Sequence, residues 1–283
     1  MQPPSVSLVV VCHNMGRELP RTLLSLSPPY QQHLAEGRWE IIVVDNGSDM
    51  PPREADFAAL DAEIRIISLA QSTPSPAPAV NEGLRQARGD LVGAWIDGAR
   101  LATPGLVRAC FEATRLAPRP VVATLNFQLG PRLQRFSVDE GYGVAAEDAL
   151  LASIGWPSDG YRLFEIATPE QVGPAAAMLE SNALFLPRDM WAELRGYDEG
   201  FASSGGGLVN PDVFSRACSL PGAQLIRVEG EGTFHQFHDG VTTGPLKRAT
   251  DALKSGAREY LKLRGRPPSR VRDPGLIYRA RVL

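Results

Sequence analysis

Four groups of polar residues in the sequence have the residue types of a ligand-binding or catalytic site. They are His13 with Asn14, residues 45–49 (DNGSD), residues 97–100 (DGAR), and the pair His235 and His238 in an H-x-x-H spacing. Carboxylates bind hard divalent cations, imidazole suits Mn²⁺ and other transition metals, and a guanidinium can pair with phosphate. An H-x-x-H pair can equally be structural, so the chemistry depends on where the fold places these groups.

The first 125 residues alternate between strand and helix patterns. Short apolar runs rich in β-branched residues predict buried strands, and apolar residues at helical spacing predict the helices between them. Thr103 and Pro104 have the residue types of a helix N-cap and a first helical position. The predicted strands are 7–12, 39–45, 63–69, 91–96 and 121–125, and the predicted helices are 17–26, 78–88 and one that begins at 103–104.

Near-continuous apolar strands that alternate with helices imply a parallel sheet covered on both faces, which is an α/β fold. In open sheets of this kind, ligands bind beyond the carboxyl ends of the strands. We therefore expect residues 13–14, 45–49 and 97–100, which follow three of the strands, to meet at one edge of the sheet.

The second half of the chain changes in character. Residues 126–177 are rich in Gly, Pro and polar residues and contain one helical pattern, at 145–154. A glycine-rich loop, SSGGG, occupies 203–207. The helix predicted near the C-terminus is amphipathic, and we expect it to dock on the rest of the protein. Further strands are predicted at 178–186 and 224–228, and further helices at 188–194, 212–218 and 246–263.

Composition is that of an ordinary globular protein, with 43% hydrophobic residues, 22% charged residues and a net charge of -3. Three widely spaced cysteines argue against a disulfide framework and fit a reducing cytosol. No signal peptide or membrane-spanning run is visible, so we expect a cytoplasmic protein whose membrane association is at most peripheral. Residues 241–283 carry eleven basic and three acidic residues, whereas the first 240 carry 18 and 29. This basic tail either neutralises the acidic body or touches an anionic surface.

Several familiar site motifs are absent from the sequence. The first strand is followed by CHNMGREL and not by G-x-G-x-x-G, which argues against a dinucleotide-binding Rossmann site. The chain contains no G-x-x-x-x-G-K-[ST] phosphate loop, no G-x-S-x-G elbow and no H-E-x-x-H zinc motif.

Four ordered segments resemble the family 2 glycosyltransferases of the GT-A fold. They are VSLVVVCHN (6–14), WEIIVVDNGSD (39–49), PAVNEGLRQARGDLVGAWIDGAR (78–100) and GYDEGFASSGGGLVNPDVFSRA (196–217). With EGTFHQFHDG (231–240), the chain is similar to a bacterial subset that has D-G-A-R in place of D-x-D.

The resemblance implies a Rossmann-like α/β fold, with a mixed, mostly parallel sheet flanked by helices and a C-terminal helical extension. Residues 1–240 would form the GT-A domain, with a nucleotide-binding half at 1–125 and an acceptor half at 126–240. Residues 241–283 would form the basic helical extension.

By the same resemblance, Asp45 accepts a hydrogen bond from the N3–H of a pyrimidine base, and His13 and Asn14 line that pocket. The alternative for Asp45 is local, because Asp-Asn-Gly is turn chemistry and the carboxylate can cap the end of the strand. The alternative for His13 and Asn14 is a loop that satisfies its own backbone.

Asp97 stands at the position of the family's D-x-D motif, whose carboxylates hold Mn²⁺ or Mg²⁺ against a diphosphate. The second carboxylate is missing, because Ala99 takes its place. The metal is then held by Asp97 with His235 or His238, of which His235 fits the family position better, or it is weakly held or absent. Arg100 either supplies positive charge directly to phosphate or is a solvated surface residue.

Inverting glycosyl transfer needs a general base that takes the proton of the acceptor hydroxyl. Aligning Asp212 with the family's E-D-x-D loop places Asn210 where the usual base stands, and an amide cannot take a proton. Asp212 is then the candidate base, although an aspartate before a helical run is also a typical N-cap. Asp198, Glu199 and Asn210 are candidates for acceptor binding, with turn or surface roles as the alternative.

These observations favour a glycosyltransferase that uses a nucleoside diphosphate sugar, with a UDP-sugar the favoured donor, and an unidentified hydroxyl acceptor. No nucleic-acid partner is expected. One alternative is a non-catalytic protein that binds a nucleotide sugar or a partner, which Ala99 and Asn210 favour. Another is a nucleotidyltransferase, for which CHNMGREL is a poor match to the expected glycine- and arginine-rich loop.

Overall fold

The computed structural model describes residues 4–32, 34, 37–170, 176–238 and 240–279. The strands are β1 (Val6–Cys12), β2 (Trp39–Asp45), β3 (Glu63–Ser68), β4 (Leu91–Trp95), β5 (Arg100–Ala102), β6 (Pro120–Leu129), β7 (Ala167–Pro169), β8 (Ala183–Pro187), β9 (Gln224–His235) and β10 (Leu276–Arg279). The helices are α1 (Glu18–Ser25), α2 (Ala77–Gln86), α3 (Leu106–Ala113), α4 (Gln134–Ser137), α5 (Val144–Ser153), α6 (Arg188–Leu194), α7 (Val209–Cys218) and α8 (Leu246–Arg264). Short 3₁₀ helices cover Glu54–Phe57, Thr114–Leu116, Val138–Glu140, Gly160–Ile166 and Ser204–Gly206.

The strands of the described residues form one sheet, in the order β10-β9-β6-β8-β4-β1-β2-β3, with β5 beside β9 and β7 beside β6. The pairs β1–β2, β1–β4, β2–β3, β6–β9 and β9–β10 are parallel. Strand β8 is antiparallel to both of its neighbours, β4 and β6. The sheet is therefore mixed and mostly parallel, as the sequence predicts.

The central strands are apolar on both faces because helices cover both. In β1, Val9 and Val11 face a core cluster that includes residues of α2, α6 and α7. Leu8, Val10 and Cys12 face the opposite cluster, which includes residues of α1 and α3. The alternation follows from the two-residue repeat of a strand, and burial on both sides explains why the sequence shows continuous apolar runs.

Strand β9 is longer than the sequence pattern predicts. The pattern ends at 228, because Gly230 and Gly232 have low strand propensity. In the structure the ladder with β6 shifts register there, so that Val228 pairs with Thr124 and Gly232 pairs with the next residue, Leu125. Such an irregularity lets a strand bend and continue, and it carries β9 on to His235 at the edge of the sheet.

The C-terminal helix α8 docks on the body, as its amphipathic pattern predicts. Ala249 and Tyr260 are buried. Gly256 lies so close to the glycine-rich loop that a Cβ added there would come within 3.2 Å of the Cα of Gly207. Beyond the helix, β10 adds a parallel strand to β9. None of the helices in the described ranges combines the length and the apolar character that crossing a bilayer requires.

An ion-pair cluster joins α8 to α7. Asp212 is 1% exposed, and its carboxylate accepts hydrogen bonds from Arg216 Nε at 2.7 Å and from Arg264 Nε at 2.6 Å. The sequence predicts a helix over 212–218 with Asp212 as a possible N-cap, but α7 begins at Val209. Pro211 is tolerated in the first turn, where backbone N–H groups have no intrahelical partner. Asp212 therefore links two helices through its arginines instead of capping one of them.

We expect Asp212→Asn to lower the free energy of unfolding by about 2–3 kcal/mol, because it leaves two guanidinium groups without their shared anion. The two arginine side chains are 22–29% exposed, so the expected loss lies below that of a fully buried pair. Urea denaturation measures it. As a control, Asp251→Asn removes the exposed pair with Lys247 and should leave the free energy of unfolding nearly unchanged, because water screens exposed ion pairs. Equal effects of the two substitutions would contradict this description of Asp212.

Candidate functional site

The candidate site lies at the edge of the sheet where β1, β2 and β4 end. These strands are parallel, so their carboxyl ends share that edge. Strand β9 ends there too, because it is parallel to β6, and both β6 and β4 are antiparallel to β8. The residues that follow these strands therefore lie close together at this edge. The sequence analysis expected ligand-binding groups here for the same reason, the shared carboxyl ends of parallel strands.

Asp97, His235 and His238 converge at this edge. His235 Nε2 lies 3.0 Å and His238 Nε2 lies 3.6 Å from the same oxygen, Asp97 Oδ2. The two Nε2 atoms are 3.1 Å apart. One ligand atom from each side chain lies within 4.8 Å of the others, which is compatible with a shared metal ion. The structure thus brings together all three residues that the sequence predicts as metal ligands.

Backbone contacts hold Asp97 in position. Its Oδ1 accepts a hydrogen bond from the N–H of Ala99 at 3.0 Å, and Gly98 donates to the carbonyl of Val11 at 2.7 Å. A Cβ on Gly98 would lie 2.6 Å from that carbonyl oxygen, so the close approach to β1 requires glycine. The motif D-G-A is therefore a tight turn that points its single carboxylate at the imidazoles.

Gln134 fixes the orientation of the His235 ring. Its Oε1 lies 2.8 Å from His235 Nδ1, while its Nε2 donates to the carbonyls of Leu129 and His235. Because Oε1 can only accept, Nδ1 carries the proton, and the lone pair of His235 is on Nε2, the atom beside Asp97. Histidine ligands of metals commonly have this kind of support on the other ring nitrogen. Nothing in the sequence pattern singled out Gln134, which lies in the irregular region 126–177.

The segment that carries His238 is also anchored. The N–H of Phe237 donates to the buried carboxylate of Glu147 at 2.6 Å, and Arg17 donates to the carbonyl of Phe237 at 3.2 Å. The side chain of Gln236 donates to the carbonyl of Glu18. These contacts tie the end of β9 to α1 and α5, so His238 is held by several elements rather than by its own loop alone.

The three groups shift one another's protonation. Burial opposes charge on Asp97, but its interactions with His238 and His235 hold the pKa of Asp97 well below the usual range. Burial lowers the pKa of His235. Burial also opposes charge on His238, but the charge and hydrogen bond of Asp97 outweigh it and raise the pKa of His238. Without metal, the cluster therefore combines an anionic carboxylate with a His238 that protonates readily.

A cavity of about 750 Å³ opens onto the cluster. Its volume lies within the range of small-molecule sites, roughly 300–1,000 Å³. Arg100 lines it and is only 5% exposed, because β5 pairs Arg100 with His235 in an antiparallel register. The sequence analysis did not predict this three-residue strand, which removes Arg100 from the surface. Six charged side chains line the described part of the cavity: Arg100, Arg135, Arg270, Asp97, Glu170 and Glu180.

The loops after β1 and β2 are joined to each other. The N–H of Asn14 donates to Ser48 Oγ at 2.7 Å, and the Asn14 amide exchanges hydrogen bonds with Asp49. His13 Nδ1 lies 3.1 Å from the carbonyl of Asn46. His13, Asn14 and Asn46 line the cavity, as predicted for the first two.

Asp45 is fully buried, and its carboxylate accepts hydrogen bonds from the N–H and the hydroxyl of Ser48. The turn role that Asp-Asn-Gly suggested is therefore the one that the structure shows for Asp45. It supports the loop from behind, while its neighbour Asn46 reaches the cavity.

Three residues predicted for the acceptor side lie elsewhere. Asp198, Glu199 and Asp212 line a second cleft, of about 660 Å³, together with residues of α7 and α8. The ion pairs of Asp212 and this placement argue against its predicted role as the general base. Among the predicted acceptor-side residues, Asn210 lines the cavity that contains Asp97.

Glu180 lines the same cavity and was missed by the sequence analysis. Trp95 of β4 pairs with Ala183 of β8. Because the two strands are antiparallel, Asp97 lies two residues past one end of this ladder and Glu180 lies three residues before the other strand begins, at the same edge. The sequence predicts a strand over 178–186 that includes Glu180, but β8 begins only at Ala183. Its antiparallel direction, which the sequence does not give, brings the residue that precedes it to the site.

A comparison with protein families finds a match in the N-terminal part of the chain. The family model described as Glycosyl transferase family 2 matches residues 7–122. This range contains β1 to β5 and the start of β6, and therefore Asp97 and Arg100. No curated protein sequence matches the chain at a significant level.

Solved structures show the same fold over most of the chain. S. aureus TarS is similar with a TM-score of 0.54 and 13% identity, over 91% of this chain and 40% of TarS. TarS 1-349 in complex with UDP gives 0.55 and 13%, over 91% and 65% of the two chains. TarS 1-349 in complex with UDP-GlcNAc gives 0.55 and 14%, over 91% and 66%. The predicted GT-A fold is confirmed, and the chain spans between 40% and 66% of the length of these TarS chains.

In metal-free protein we expect His238 to titrate above, and His235 below, the ordinary histidine pKa of about 6.5. Asp97→Asn should lower the pKa of His238, because it removes the anion that favours the imidazolium. A raised pKa means that this interaction stabilises the fold fully below about pH 6.5 and is lost as pH rises through the folded-state pKa. NMR titration of the imidazole resonances measures the pKa values.

The matched control is Asp90→Asn, whose carboxylate is 94% exposed and should leave both titrations in place. Ordinary pKa values for both histidines, or no response of His238 to Asp97→Asn, would contradict the described cluster.

Proposed function

We propose that the protein is a glycosyltransferase that transfers a sugar from a nucleoside diphosphate sugar to a hydroxyl acceptor, with inversion at the anomeric carbon. A UDP-sugar is the favoured donor. The observation that carries this proposal is the convergence of Asp97, His235 and His238 on a large cavity at the carboxyl edge of a GT-A sheet. Structures of similar fold, those of S. aureus TarS, are complexes with UDP and UDP-GlcNAc, which supports the donor class.

The residues present fit a divalent cation, Mn²⁺ or Mg²⁺. The cluster offers one carboxylate oxygen and two imidazole nitrogens, and Gln134 leaves the lone pair of His235 on the atom that faces Asp97. Imidazole ligands favour a transition metal such as Mn²⁺ over Mg²⁺, which prefers oxygen. When bound, the cation would neutralise charge on the departing nucleoside diphosphate. The histidines thus replace the second carboxylate that Ala99 lacks.

Arg100 supports binding of the diphosphate. Its Nε and Nη1 are buried and make no hydrogen bond within the described residues, although Nε lies 3.9 Å from Asp97 Oδ2 and Nη2 lies 3.6 Å from Glu170. Buried guanidinium donors without acceptors are costly, and a phosphate would satisfy them with charge-assisted hydrogen bonds. Arg135 and Arg270 add positive charge to the same cavity.

The nucleoside end of the donor is assigned to the joined loops after β1 and β2. His13 and Asn46 line the cavity there, and Asn14 fixes one loop to the other through Ser48 and Asp49. We propose that these loops hold the base and that Asp45 contributes by keeping the second loop in shape.

A non-catalytic protein that binds nucleotide sugars is the second candidate. Two observations favour it: Asn210 has an amide where the resemblance expects a base, and Asp212 is held between two arginines. Release of UDP from a panel of UDP-sugars separates the two candidates, since a binding protein would leave the donor intact.

We expect UDP to bind at least about tenfold more tightly with Mn²⁺ than with a chelator, a difference of about 1.4 kcal/mol. Asp97→Asn should abolish that difference, because it removes the carboxylate shared by both imidazoles. Isothermal calorimetry with UDP, GDP and dTDP measures the metal effect and the base preference together.

Asp90→Asn is again the matched control and should keep the metal effect. Equal affinity with and without Mn²⁺ in the unaltered protein would overturn the metal assignment. Persistence of the metal effect in Asp97→Asn would show that another group holds the cation.

A further inference from the structure

Glycosyl transfer to a hydroxyl needs a carboxylate or another base near the acceptor. Neither the predicted base, Asp212, nor Asn210, at the position of the family's usual base, provides one. Asn210 is an amide, and Asp212 is buried in the α7–α8 ion-pair cluster. The described lining of the cavity contains three carboxylates: Asp97, Glu170 and Glu180.

Two of these carboxylates are already committed to other partners. Asp97 contacts both imidazoles of the metal cluster. Glu170 accepts a hydrogen bond from Gln128 at 3.1 Å and lies 3.6 Å from the guanidinium of Arg100. That arginine is the one assigned to the diphosphate, so Glu170 belongs to the diphosphate side of the cavity. Glu180 is the third carboxylate of the lining, and it lies beside Asn210.

A hydrogen-bond network holds Glu180 at the wall of the cavity. Its Oε2 accepts a hydrogen bond from Asn210 Nδ2 at 2.8 Å. The same amide group donates to Asn182 Oδ1 at 3.1 Å and to the carbonyl of Ser181. The N–H of Asn182 in turn donates to Asn126 at 3.1 Å. This network fixes the start of β8, so Asn210 keeps a role at the site by positioning a carboxylate that another element supplies.

Burial leaves Glu180 more basic than an ordinary glutamate. Burial and the nearby carboxylate of Glu170 raise its pKa, whereas the hydrogen bond from Asn210 and the charges of Arg100 and Arg270 lower it, with a net rise. The phenol of Tyr197 also faces it. A general base is most effective when its pKa approaches the working pH.

Resting on the proposed function, we propose that Glu180 is the general base of the transfer and that Asn210 positions it. The acceptor oxygen forms a bond to the anomeric carbon as the bond from that carbon to the diphosphate oxygen breaks, and the electron pair leaves with the nucleoside diphosphate. The hydroxyl proton moves to a carboxylate oxygen of Glu180, which becomes neutral and returns the proton to solvent. Water can serve as the acceptor in the same way.

The test measures UDP release from UDP-sugars with water as acceptor, across pH 5–9, together with Mn²⁺-dependent UDP binding. In the unaltered protein the rate should rise with pH through the pKa of Glu180, because the base must be ionised. Glu180→Gln should reduce the rate on the order of 10²-fold or more and abolish this pH dependence, while UDP binding stays within about threefold of the unaltered protein.

Two further variants keep the test independent of folding defects. Asn210→Ala removes the hydrogen bond that favours the carboxylate, so the rise in rate should move to higher pH. Glu231 is a buried glutamate outside the cavity that accepts a hydrogen bond from Tyr161 and also has a raised pKa. Glu231→Gln should leave the midpoint of the pH profile unchanged.

The outcomes separate this assignment from the proposed function. No UDP release by the unaltered protein from any UDP-sugar overturns the transferase proposal and the base with it. Release that persists in Glu180→Gln with its pH dependence intact overturns the assignment of Glu180 alone. A profile that does not move in Asn210→Ala also contradicts it, whether or not Glu180→Gln folds.

Discussion

The candidate site depends on several strands of the sheet ending at the same edge. Strands β1, β2, β4 and β9 end at one side of a sheet whose central strands are buried on both faces. The residues that follow these strands line the cavity, so their polar side chains meet at its wall. Asp97 is tolerated at this edge because two imidazoles and a backbone N–H face its carboxylate. Strand β8 runs antiparallel to its neighbours, so Glu180, which precedes β8, lies at the same edge.

Local patterns predicted most of the fold. Apolar runs predicted the strands of the first half, and helical spacing predicted α1 and α2 to within about two residues. The start predicted for the next helix from Thr103 and Pro104 was about two residues early, because α3 begins at Leu106 after Gly105. The positions of His13, Asn14 and Asp97 followed from the rule that ligands bind beyond the carboxyl ends of strands. Strand β5 was missed because three residues carry no periodic signal, and the extent of β9 was missed because its glycines signal a break where the structure has a register shift.

Some residues of the site could not be predicted from the sequence because their roles depend on contacts with residues far away in the chain. Asp212 fits an N-cap or a base by local pattern, but its partner Arg264 is 52 residues away and belongs to the tail. Gln134 orients a histidine 101 residues later. Asp45 shows the opposite case, because the local turn chemistry described its contacts and the family resemblance suggested a different partner.

The basic tail contributes to the structure through specific contacts rather than through charge alone. Tyr260 is buried in a core cluster, and Gly256 packs against the glycine-rich loop that borders the cavity. Arg264 reaches Asp198 and Asp212. The tail therefore covers the back of the loop that carries Gly205 and Gly207, both of which line the cavity, and couples the stability of α8 to the shape of the site.

The central claim is that one carboxylate and two imidazoles form a cation site for a diphosphate. Crystals grown with Mn²⁺ and UDP, measured at the manganese absorption edge, test it most directly. The account predicts an anomalous peak between Asp97 Oδ2 and the Nε2 atoms of His235 and His238, with the UDP phosphates beside it. UDP bound in the cavity with no peak at that position would contradict it.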